Sequence, residues 1–245
     1  MKAAVVLVLF VVGCDSPSES TPDGPPSGND ASIDVAIDAA STGFGELSGM
    51  CGVLNDPELL GTSPLLVQDA MTFARAFMDP ADRPLLTAGG VHLIETPNAG
   101  GSSEMSELFA FEQLARCEGA SLVKTETEIV YTDTGGKKTD ILVEIDGHKI
   151  GVSVTRAFAF PIGQPYTEQQ ATTLLTRKLD DIELSSANVT AADAWEKQIL
   201  AYQAIDDQTA QTVIGVWNGL PAATKDDTIL LVTITNGDDL FIYQN

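Results

Sequence analysis

Lys138-Thr139-Asp140-Ile141-Leu142-Val143-Glu144-Ile145-Asp146-Gly147-His148-Lys149-Ile150-Gly151-Val152-Ser153-Val154-Thr155-Arg156 is the stretch on which the fold turns. Apolar and polar residues alternate on both sides of Asp146-Gly147, a pair suited to a two-residue hairpin turn. The spacing predicts strands over Thr139–Ile145 and His148–Arg156. With a two-residue turn, Ile145 pairs with His148 and Asp140 falls opposite Ser153. One face then carries Ile141, Val143, Ile145, Ile150, Val152 and Val154. The other carries Asp140, Leu142, Glu144, Lys149, Gly151, Ser153 and Thr155. A slip of one residue would exchange the two faces, so the apolar set fixes the register.

Working towards the C-terminus, Thr167 and Gln170 form a capping box. Leu174, Leu175, Leu179 and Ile182 follow as a helical stripe. A second helix is expected after Thr190 as N-cap, with Asp193 at its third position and Trp195, Ile199 and Tyr202 on one side. A third is expected over Gln208–Trp217. Thr228–Thr235 reads as a buried strand and Asp239–Tyr243 as a short final one. Towards the N-terminus, Thr125–Tyr131 reads as a strand. Ser103 reads as the N-cap of a helix with Glu104 and Glu107 in its first turn, ending at Glu118-Gly119. Leu65–Met78 reads as a helix and His92–Glu95 as a weak strand. The expected class is α/β or α+β, a mixed central sheet flanked by helices.

The order of helix, strand and hairpin, with Asp140 at the start of one strand and Ser153 and Thr155 two apart on the next, resembles the core of the PD-(D/E)XK nucleases over roughly residues 104–184. The resemblance implies a restriction-endonuclease-like fold. In that family the hairpin Asp, an acid and a Lys share one face; the carboxylates hold a divalent metal, and a Glu from the preceding helix often joins. Asp140 matches the first position and Glu107 is the helix acid. Ser153 stands where the family has an acid, and Thr155 where it has Lys. Two hydroxyls replace neither a hard-metal carboxylate nor an ammonium. The expectation is therefore no cofactor, with Mg²⁺ held weakly by Asp140 as the alternative. Catalysis, if present, would use Glu107, Asp140 and a displaced cation.

Lys178 is the candidate for that cation. It lies on or beside the apolar stripe, four residues from both Leu174 and Ile182. It either reaches a pocket or Asp140, or packs its stem and keeps its head in water. Arg156, just after the hairpin strand, is the second candidate; its alternative is an ion pair with Asp180 or Asp181. Ser153, Thr155, Arg156 and Lys178 together form the candidate binding set. Other chemistry lacks its signature: two histidines without HExxH spacing, no GxSxG elbow and no GxxxxGK[ST] loop.

The chain opens with Met1-Lys2, an apolar run to Val12, then Gly13-Cys14. The run is too short to span a bilayer and has the form of a secretion signal. Val11-Val12-Gly13-Cys14 resembles a bacterial lipobox. The resemblance implies that residues 1–13 are removed and that Cys14 is acylated, with the membrane as partner through that lipid. The protein would then sit outside the cytoplasm, in the periplasm or at the cell surface. An ordinary secretion signal is the alternative. Residues 14–45 are rich in Pro, Ser, Gly and Asp and are expected to be a disordered tether. Residues 46–245 are expected to form a single domain.

Losing Lys2 with the signal moves the formal charge of −22 by one, to −23. Such a balance argues against gripping phosphate backbones or anionic lipid heads, and leaves a protein or small-molecule partner unspecified. Cys51 and Cys117 are the cysteines left after Cys14. In an oxidising compartment they are expected to pair, closing a loop of roughly 65 residues worth roughly 4 kcal/mol of chain entropy. Two free thiols are the alternative.

Overall fold

The computed structural model describes residues 43–98 and 103–244. The signal segment, Cys14 and most of the expected tether lie outside them. No described helix is long and apolar enough to cross a membrane.

Seven strands form one sheet in the order β1-β2-β7-β6-β5-β4-β3. They are β1 Glu46–Gly49, β2 Leu65–Phe73, β3 Ser121–Thr125, β4 Ile141–Ile145, β5 His148–Ala157, β6 Lys197–Ala204 and β7 Ile229–Gly237. The four central strands β2, β7, β6 and β5 run parallel, while β1 at one edge and β4 and β3 at the other are antiparallel. The helices are α1 Asp56–Leu59, α2 Ala88–Glu95, α3 Glu104–Glu118, α4 Glu168–Asn188, α5 Asp207–Gly219, α6 Ala222–Lys225 and α7 Leu240–Tyr243. The architecture is α/β, a mixed sheet with helices on both faces, as the sequence implies.

The hairpin forms as predicted. Ile145 pairs with His148 and Ile141 with Val152, with no slip between. Asp146 and Gly147 both take positive φ, 49° and 83°, as a two-residue turn between right-twisted strands requires. Its apolar face packs with Leu108, Phe109, Phe111 and Leu114 of α3 into the larger core, which also holds Phe44, Phe73 and Phe77. A second core lies on the opposite face, between α4, α5 and the sheet. Leu175, Leu179, Val213 and Trp217 meet Leu200, Tyr202, Leu230 and Val232 there. The Thr167 capping box stands at the start of α4, with Gln170 N–H donating to Thr167 Oγ1. Gly119 ends α3 in the left-handed region, φ 66°.

Several elements differ from their expectation. Leu65–Phe73 is a parallel central strand, not a helix. Residues 197–204, expected in a helix after Thr190, form β6 with all eight positions buried. Strands covered on both faces lose the alternation that marks a strand, so Ile199 and Tyr202 mimic a helical spacing. Thr190 caps nothing and its hydroxyl is buried without a partner. Asp193 accepts from Lys124 Nζ at 2.7 Å and from the Val130 N–H at 2.8 Å, pinning the loop after β3. That loop replaces most of the expected strand 125–131; the chain turns at Thr125 and Tyr131 makes only a single bridge, to Val189. Residues 92–95 finish helix α2, whose Gly90 packs against the Glu112 carboxylate where a Cβ would stand 2.1 Å from Oε1. Residues 240–243 are a helical turn rather than a strand.

Cys51 and Cys117 are joined, with Cα atoms 4.6 Å apart. Beside them the buried Glu118 carboxylate accepts the N–H groups of Gly52 and Leu54, at 3.1 and 2.8 Å. The disulfide thus fixes the segment after β1 to the end of α3.

Candidate functional site

Four candidate residues, Glu107, Asp140, Ser153 and Lys178, gather beside the second half of β5. Asp140 immediately precedes β4, and its N–H donates to the Val152 carbonyl at 3.1 Å. Its Oδ2 accepts the Val154 N–H at 2.6 Å and the Ser153 hydroxyl at 3.3 Å. Lys178 reaches in from α4. Its stem leaves the helix between buried Leu175 and Leu179, and its ammonium donates to the Val154 carbonyl at 2.8 Å and Ser153 Oγ at 3.4 Å. Glu107 comes from the first turn of α3 and is 6% exposed. Ser103 is the N-cap by position, but its side chain bonds Glu107 rather than the helix backbone.

Lys178 therefore does not carry its charge out into water. It is half-buried and bonded, and Ser153 bridges it to Asp140. Arg156 does not pair with Asp180 or Asp181. Its Nη1 donates to the Ile242 carbonyl at 2.8 Å, and its charge acts on Glu107. Asp181 pairs with Lys137 instead. Thr155, half-buried, aligns with Tyr202 of β6 and is not among the residues that meet at Asp140.

The electrostatics follow from burial. Glu107 is pushed up to about 7, first by loss of solvent, then by the nearby Asp140 charge and by Glu126; Ser103 and Lys178 oppose this. Burial also raises Asp140, against the pull of Lys178 and the two hydrogen bonds. Burial lowers Arg156. Sequence reasoning missed Glu126 and Glu104, which line the same cavity as Glu107 and Asp140. Glu126 was placed in a strand, and only the turn after Thr125 brings it here.

The metal that the family resemblance implies does not fit. Mg²⁺ asks for six oxygens and keeps several waters. The cavity measures about 10 Å³, room for roughly one water molecule. The Val154 carbonyl and the Ser153 hydroxyl are already met by the Lys178 ammonium. Among the described residues, no group of three His, Cys, Asp or Glu side chains could hold a metal ion.

A roomier cavity of about 320 Å³ lies along the C-terminal half of α4, between Trp195, Ser186, Gln198, Lys225 and Thr228. Two of its polar groups are bonded within the protein: the Trp195 indole donates to Ser186 Oγ at 3.0 Å, and Lys225 donates to the Trp217 carbonyl at 3.3 Å.

The chain matches no family model. It is 40% identical over 164 residues to the AAC-rich mRNA clone AAC4 protein of Dictyostelium discoideum, a match covering 64% of this chain. The matched region spans about a quarter of that relative's length, 24%. Among solved structures, it is similar to Pyrococcus furiosus SfsA in complex with Ca²⁺, at 12% identity and a TM-score of 0.29, covering 59% of this chain and 70% of that one.

Proposed function

We propose that this is a lipid-anchored envelope protein whose restriction-endonuclease-like domain has no working nuclease centre and serves as a binding module. The observation that carries the reading is the small size of the acidic cavity. Asp140 spends one oxygen on Ser153 and the Val154 N–H, and the space beside it holds about 10 Å³. A scissile phosphate with its metal and attacking water has nowhere to sit. The net charge of −22 also opposes a polyanionic substrate. The 320 Å³ cavity near Trp195 is of ligand size, which supports a small-molecule partner over a purely structural role.

The test is direct. Purified protein with Mg²⁺ or Mn²⁺ should leave plasmid, single-stranded DNA and RNA intact. The double variant Ser153→Glu, Thr155→Lys, made together with Lys178→Met so that no ammonium occupies the place, should gain metal affinity, because position 153 lies opposite Asp140, about 5 Å across the strand pair. Metal-dependent cleavage by the wild type, abolished in Asp140→Ala, would replace this reading. The anchor is tested separately: Cys14→Ser should release the protein from membranes, and unchanged fractionation and mature mass would reject lipidation.

A second reading is an active nuclease with a rearranged centre. One observation favours it: the charges of Glu107, Asp140 and Lys178 act on one another although they come from three elements. Perturbed acids beside a Lys are what catalytic sites gather.

A further inference from the structure

The acidic cavity has a cation beside it, which does not line it but reaches its wall at Asp140 through Ser153. Glu104, Glu107, Glu126 and Asp140 line it together. Carboxylates brought this close repel one another and lose hydration, and proteins commonly relieve both costs with a bound ion. Here the positive charge is covalently supplied. The Lys178 ammonium donates to the Val154 carbonyl at 2.8 Å and to Ser153 Oγ at 3.4 Å, and Ser153 in turn stands 3.3 Å from Asp140 Oδ2. These are oxygen donors of the kind a hard divalent ion would seek. Lys178 is itself half-buried and is neighboured on α4 by Leu175 and Leu179, 0% and 3% exposed in the core.

We infer that the Lys178 ammonium is the permanent counter-ion of this cavity, standing where a divalent metal would otherwise be held, so that the domain both dispenses with divalent ions and refuses them. This deepens the reading of the domain as lacking a nuclease centre and rests on it. Lys178 is a positioning residue in this account. It holds β5 through the Val154 carbonyl, and its charge opposes the rise that burial imposes on the Asp140 carboxyl.

The experiment is a thermal melt and a calorimetric titration of the full chain with Ca²⁺ and Mn²⁺, against a chelator. The wild type should melt at the same temperature in both conditions and show no saturable uptake. Lys178→Met removes the ammonium and keeps the stem. It should melt lower in chelator and regain about 5–10 °C at metal concentrations near 100 times its Kd. Adding Asp140→Asn to that variant should abolish the metal response. Saturable uptake by the wild type overturns the inference, even if the protein cuts no nucleic acid. A folded Lys178→Met variant that responds to metal no more than wild type overturns it equally. If Lys178→Met folds in neither condition, the wild-type titration decides alone: refusal supports the inference and uptake rejects it. Cleavage of nucleic acid, by contrast, would count against the inactive-nuclease reading itself.

Discussion

The two ends of β5 handle charge in opposite ways. At its start, His148 faces Glu196 at 3.1 Å and Asp56 at 3.2 Å, both acids reaching into solvent. Lys149 donates to the Ala192 carbonyl nearby. Towards its finish, at Ser153 and Val154, Glu107 is buried and Asp140 half-buried, with Lys178 and Arg156 around them. The acids beside His148 raise its pKa, and loss of solvent raises the acids at the other end. The first arrangement is a set of solvated ties holding chain segments together. The second concentrates charge where water screens it less, and of the two it has the cost and the chemical reach of a functional site.

The disulfide offers the largest perturbation of the tied end, since it holds the segment that leads to Asp56. Cys51→Ser with Cys117→Ser should lower stability by about 2–5 kcal/mol in urea denaturation, the range found when native bridges closing long loops are removed. A change near zero would mean the ties at Glu118 and His148 suffice alone.

Glu107→Gln sharpens the buried end. The folded protein raises this acid to about 7 from an ordinary 4.5. Its contribution is therefore fully present below pH 4.5 and is lost as pH rises through 7. At pH 8 the wild type carries a penalty on the order of 2–3 kcal/mol that Gln relieves. The variant should be more stable than wild type at pH 8 and equal to it at pH 4. Parallel pH–stability curves for the two proteins would remove Glu107 from the account.

The smallest effect belongs to His148. Its raised pKa also gives stability that is present below the ordinary value near 6.5 and lost as pH rises past the folded one. His148→Gln should lower the melting temperature slightly at pH 5.5 and leave it unchanged at pH 8.5. Added salt should weaken the His148 effect, whose acid partners are exposed, and spare that of Glu107. Equal salt sensitivity at both ends would collapse the contrast between them.

How much of this was readable beforehand depends on solvent. The β4–β5 hairpin was legible to the residue because β4 and β5 supply an apolar face to the core, and Asp146-Gly147 fixes the turn. Strands β2 and β6 were read as helices; the sheet interior covers both faces of β6, whereas in β2 the residues on the less buried face, Leu66, Gln68, Ala70 and Thr72, are mixed apolar and polar and blur the alternation. Glu107, Asp140 and Lys178 stood out because charge near an apolar pattern is conspicuous. Their meeting was legible only through the hairpin register. What the lysine touches was not, since Val154 offers it a backbone oxygen, which no side-chain pattern reveals. The acid wall made by Glu126 was hidden by the turn at Thr125, where Glu128 folds back to accept the Thr125 N–H at 3.0 Å.

The bridge between Cys51 and Cys117 also has a mechanical meaning. A pull applied to the chain ahead of Phe44 first peels β1 from β2, pair by pair, and then meets Cys51. Beyond that point the load passes directly to α3, and the 66-residue separation between the cysteines is shorted out, withholding about 220 Å of contour length. Under tension from its N-terminal side, this domain pays out a short leader and then pulls against a covalent stop, so reductant should lengthen its single-molecule extension by that amount.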